Sequence, residues 1–136
     1  MKRKTVHKVP FKHFSFTDPI YGAEIHVYIG REERVCPRFN RRWKLRWRPK
    51  PSRSAEAFTI SETKGGYTVY GIWLEAFDWT IYQQAVAIHE FAHIAAFVLR
   101  SRGIAFGGVK NEAFAYYMKY LVKTVWQRLK NWRIPK

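Results

Sequence analysis

The chain has 136 residues, of which 47% are hydrophobic and 18% aromatic, and a formal net charge of +15. That length suits one domain with a real core, and the apolar content excludes disorder as the main description. No apolar run reaches membrane-spanning length, because the best candidate, 85–99, is interrupted by His89, Glu90 and His93.

Residues 1–13 are basic, with Lys2, Arg3, Lys4, Lys8 and Lys12, and are expected to fray at their start. They contain no apolar signal core, so nothing there points to secretion. Phe14-Ser15-Phe16 leads into the turn signal Thr17-Asp18-Pro19. Glu24 to Ile29 alternates and ends at Gly30, the pattern of a strand. His13 and His26 fall in this region and read first as solvated or hydrogen-bonded strand residues. The lone cysteine, Cys36, cannot form an internal disulfide and excludes a Cys-rich zinc ribbon. It fits a reducing, cytoplasmic compartment.

The composition shifts sharply over 34–53, which holds no acid. Arg38, Arg41, Arg42, Lys44, Arg46 and Arg48 alternate there with Trp43 and Trp47, and Pro37, Pro49 and Pro51 bracket the run. The segment reads as a basic loop or edge strand. Interleaved arginines and aromatics suit contact with DNA or RNA, through phosphates and stacked bases. Positive charge that discourages sheet pairing is an equal explanation. Residues 57–61 and 67–74 then flank Gly65-Gly66, which predicts a hairpin.

Asp78 is a candidate N-cap for a helix from about Trp79 to Arg102, stopped by Gly103. After a loop over 104–110, Asn111 is placed to cap a second helix reaching about Trp132. Its apolar stripe is Phe114, Met118, Leu121, Val125 and Leu129. The expected fold is therefore α+β, one domain over 1–136. It would have a small, mostly antiparallel sheet of hairpins packed on two long helices.

The first long helix contains His89, Glu90 and His93, the pattern H-E-x-x-H. Residues i and i+4 stack one turn apart on one helix face, so two imidazoles can grip one Zn²⁺ ion. Glu90 projects beside them, where a carboxylate can take a proton from a metal-polarised water. Phe91, Ala95, Val98 and Leu99 form the apolar face of this helix, and both histidines point well away from it. Catalytic zinc has three protein ligands and an open position. Glu112, opening the second helix, is the leading candidate for the third, with His26, His13, Asp78 and Glu75 as further donors. Tyr116, Tyr117 and Tyr120 are candidates for stabilising an oxyanion.

His89-Glu90-Phe91-Ala92-His93 followed by Asn111-Glu112 resembles the gluzincin metallopeptidases, including the small minigluzincins. Glu112-Ala113-Phe114-Ala115-Tyr116 is similar to compact peptidases of the ImmA/IrrE group, common in phage and mobile elements. The resemblance covers residues 85–120. It implies zinc ligation by His89, His93 and Glu112, with Glu90 as general base, and an edge strand, matched here by Tyr67–Leu74, that binds extended peptide. Where the family commonly has an aspartate four residues after the ligand glutamate, this chain has Tyr116. Asp78 could supply that aspartate's contact to a histidine ligand. No histidine follows His93 to stabilise an oxyanion. Two functions follow: a zinc-dependent metallopeptidase acting on protein or peptide, or a nucleic-acid-binding protein with a vestigial or structural zinc site.

Overall fold

Seven consecutive positions, Glu24–Gly30, form a strand whose residues beyond the first are all buried, which a strand achieves only when both its faces are covered. The computed structural model describes residues 11–43, 57–64, 67–130 and 132. Among these the strands are β1 (Phe11–Thr17), β2 (Glu24–Gly30), β3 (Ala57–Lys64) and β4 (Tyr67–Leu74). The helices are α1 (Glu32–Trp43), α2 (Ile81–Ser101) and α3 (Glu112–Leu129). The expected frayed N-terminus and the hairpin glycines 65–66 lie outside the described residues.

The four strands run in the order β1-β2-β4-β3. The outer pairs are antiparallel hairpins, whereas β2 and β4 pair in parallel, Ile25 opposite Tyr70 and Ile29 opposite Leu74. The sheet is thus mixed. A parallel pair needs a crossover too long for a tight turn, and here α1 and β3 supply it. Gly71 pairs regularly with His26 and Ile60, so it marks no bulge.

Side chains alternate between two cores. Ile25, Val27, Ile29, Tyr70, Ile72 and Leu74 face α2 and α3. On the opposite face Tyr28 and Trp73 meet Val35 and Phe39 of α1. Of the three helices, α2 and α3 are the longer, at 21 and 18 residues, and α2 contains His89, Glu90 and His93.

The helix α1 corrects the expectation of a loop or edge strand over 34–53, at least as far as residue 43. Proline inside a helix costs ~3 kcal/mol, and Pro37 lies inside this one. Val35 and Phe39, both fully buried, offset that with about 1.5–3 kcal/mol each. Glu32 and Glu33 in the first turn and Arg41 and Arg42 in the last also complement the helix dipole. Residues 44–53 lie outside the described residues.

Candidate metal centre

The helix that carries the histidines is fixed at both ends. Its N-cap is Thr80, whose hydroxyl accepts from Gln83 N at 3.3 Å. Asp78, expected in that role, sits two residues earlier and accepts from Thr80 N at 3.1 Å. Between them Trp79 adopts φ +68, a conformation that is rare for a bulky side chain. Its ring packs on Phe77 and Trp126, and its indole N–H donates to Trp132 O at 2.8 Å. At the far end Gly103 has φ +68, and Gly103 N and Ile104 N donate to Arg100 O and Leu99 O. That is a Schellman closure, which favours glycine at this position.

Phe91, Ile94, Ala95 and Val98 are fully buried against the sheet and α3, and Leu99 is also fully buried. His89 and His93 are left on the exposed side of α2. Their Nε2 atoms approach to 3.1 Å, with the rings edge to face. Two nitrogens on one tetrahedral zinc, at ~2.0–2.1 Å each, would stand about 3.3 Å apart. The separation of the two nitrogens therefore matches that of two neighbouring corners of such a site.

Glu90 completes the group: one donor atom from each of His89, Glu90 and His93 lies within 4.8 Å of the others. Unlike the imidazoles, Glu90 is buried, with 5% of its surface exposed. Thr59 on β3 explains its orientation. The Thr59 hydroxyl donates to Glu90 Oε2, which holds the carboxylate between the helix and the sheet edge. Sequence reasoning did not single out Thr59. The signal was its place in a strand paired with β4, which feeds directly into the histidine helix.

Glu112 is not brought to this group. Trp126 lies 5.5 Å from Phe91 and 5.5 Å from Trp79, so α3 runs back along α2 with its C-terminal part near the start of α2. From Trp126 back to Glu112 the helix extends roughly 20 Å, away from the level of Phe91 and its neighbours. Glu112 is exposed in the first turn of α3, where a carboxylate is favoured by the helix dipole alone. Asp78 and Glu75 precede α2, and His89 stands about 12 Å along the axis from the helix start. His13 and His26 project on the α1 face of the sheet, opposite α2. There they meet each other at 3.0 Å, His26 meets Glu24 Oε1 at 2.8 Å, and His13 stacks on Tyr28.

The tyrosines separate by environment. Tyr116 is 66% exposed, whereas Tyr117 is 1% exposed and donates to Asp18 Oδ2 at 2.8 Å. Burial first, and then the Asp18 carboxylate, raise the Tyr117 pKa, so this phenol stays a donor committed to Asp18. Tyr120 packs edge-on against Phe16 and near Tyr117. Asp18 itself is 1% exposed and also accepts from Ile20 N, Tyr21 N and Ala23 N. A buried carboxylate with four donors is a structural knot tying the β1–β2 turn to α3. In the sequence it looked only like a turn residue.

Of the candidate nucleic-acid contacts, Arg38, Arg41 and Arg42 are exposed on α1, and Trp43 is its last residue. Lys44, Arg46, Trp47 and Arg48 lie outside the described residues. No helix among the described residues is long and apolar enough to cross a membrane. Comparison with protein-family models, with curated proteins and with solved structures gives no match to this chain.

Proposed function

We propose that the chain is a zinc-dependent metallopeptidase whose centre is built on α2. The observation that carries this reading is the approach of the two Nε2 atoms to 3.1 Å with a buried carboxylate in the same group. His89 and His93 would hold the ion as nitrogen ligands. Once bound, zinc supplies a Lewis acid for a carbonyl oxygen and acidifies a water.

Glu90 is the proton acceptor. Thr59 occupies Oε2, which leaves Oε1 to take a proton from the attacking water and return it to the departing amine. Glu112 lies outside the group that could hold the ion, so among the described residues His89 and His93 would be its nitrogen ligands, one protein ligand fewer than catalytic zinc usually has. The substrate is a protein or peptide in extended form. Among the described residues β3 has one unpaired edge, and it runs beside Glu90, where backbone groups can pair with an added strand. Ala57–Lys64 would be the docking strand in this reading. Tyr67–Leu74, the strand implied by the resemblance, is interior because β2 and β3 flank it.

The net charge of +15 supports polyanions, DNA or RNA among them, as further partners. The single cysteine, Cys36, is buried and can form no internal disulfide, which supports a cytoplasmic setting. The test combines metal analysis with cleavage of a fluorescein-labelled unfolded protein. Glu90→Gln should retain zinc and lose hydrolysis, while His89→Ala should lose both. Full activity in Glu90→Gln would remove Glu90 from the mechanism, and loss of zinc in Glu112→Ala would contradict the placement of α3.

A further inference from the structure

On the sheet face opposite the histidine helix, α1 and the β1–β2 hairpin line an open cleft. It has a volume of about 470 Å³ and is lined by His13, Tyr28, Arg38, Arg41 and Arg42. The walls are cationic. Among the described residues Glu24 is the one acid paired with this group. Its Oε1 accepts from Arg42 at 3.3 Å and from His26 Nε2 at 2.8 Å. Arg38 donates to a backbone carbonyl, Arg34 O, and lies over the Phe11 ring at 4.5 Å. Arg41 has no ion-pair partner among the described residues. Of the three guanidinium groups, Arg42 alone meets a carboxylate among the described residues.

A chain of hydrogen bonds fixes the floor of the cleft. Glu24 can only accept, so His26 Nε2 carries a proton toward it. In a neutral ring Nδ1 then accepts from His13 Nε2 at 3.0 Å. His13 stacks flat on Tyr28, with centroids 4.3 Å apart and planes at 8°. The site is consequently a rigid aromatic and imidazole base beneath guanidinium groups on one helix.

We propose that this cleft binds the phosphate group of a small phosphorylated molecule, held chiefly by Arg38 and Arg41. Guanidinium groups match phosphate oxygens through paired, charge-assisted hydrogen bonds. The volume falls within the range of small-molecule sites and exceeds what a bare phosphate ion fills, so the ligand carries an organic part. Arg42 is already tethered to Glu24 and adds charge at the rim. This site shares no residue with the histidine centre and stands whether or not that centre is a peptidase.

Calorimetric titration of the full chain with adenosine monophosphate, inorganic phosphate, adenosine and a single-stranded oligonucleotide tests it. Adenosine monophosphate should bind saturably at one site per chain and be displaced by inorganic phosphate at higher concentration, while adenosine should not bind. Arg41→Gln and Arg38→Gln, both exposed substitutions whose folding circular dichroism would check, should each weaken binding by about 10- to 100-fold. Arg128→Gln on α3, which removes the same charge elsewhere, should leave it unchanged. Equal weakening by Arg128→Gln would reduce the effect to net charge and overturn the site. Binding of the oligonucleotide alone, or of none of the phosphate-bearing probes, would overturn it as well.

Discussion

At the residue scale, two neighbours on α2 have opposite environments, and the proposed chemistry depends on that contrast. His89 is exposed and free to meet a ligand, whereas Glu90 is buried and held by Thr59. The helical period made the first half of this visible, since both histidines fall off the stripe of Phe91, Ala95, Val98 and Leu99. The second half needed the strand that packs there. Asp18 shows the same limit. Its four donors come from the next turn and from Tyr117, ninety-nine positions away, and no local pattern announces such a contact. Tyr117→Phe removes one of these donors from a buried carboxylate. It should lower unfolding free energy by ~1.5–3 kcal/mol in urea denaturation, and an unchanged midpoint would contradict the assignment of Asp18 as a structural knot. His13 gives a pH test. Although the residue reaches the surface, its ring is covered by Tyr28. That burial, followed by repulsion from His26 and Arg42, pushes its pKa down from 6.5 to about 4. A depressed histidine pKa means the unfolded chain binds the proton more readily. Its contribution to stability is therefore present above pH 6.5 and is lost as pH falls toward 4. Unfolding midpoints should decline across that window less steeply in His13→Gln than in the parent, and identical slopes would contradict it.

At the element scale, α2 and α3 were readable because a long 3.6-residue period and a C-terminal glycine reinforce each other. The first helix was not. Pro37 and the density of arginine suggest an open segment, while the opposing signal is short: Val35 and Phe39 one turn apart, preceded by two acids. Burial against Tyr28 and Trp73 decides the contest. Pro37 is exposed and serves no packing role, so Pro37→Ala should raise stability by about 1–3 kcal/mol. A loss of stability would show that the proline is needed for the path of α1. The sheet edge was misplaced for a related reason. Residues 67–74 and 57–61 both read as strands, but only the parallel pairing of β2 with β4 makes the former interior. Pairing across such a sequence separation leaves no local trace, although the unbroken apolar run Tyr70 to Leu74 is consistent with a strand covered on both faces.

At the scale of the whole molecule, one sheet separates two sites: the histidine pair on the α2 side and the arginine cleft under α1. The class, α+β, was legible from alternating strands and two periodic helices, whereas the order of the strands was not. A charge of +15 on a chain this small repels itself in the folded state. Raising ionic strength from ~0.01 M to ~0.15 M shortens the screening length from about 30 Å to about 8 Å, so thermal unfolding should move to higher temperature, and a shift downward would contradict net self-repulsion. The central claim, that His89 and His93 form a metal-binding pair, is tested most directly by zinc content per chain after dialysis against buffered zinc. The account predicts about one equivalent in the parent and in Glu112→Ala, and none in His89→Ala or His93→Ala. Equal zinc in the parent and both histidine variants, or none in any of them, would contradict it.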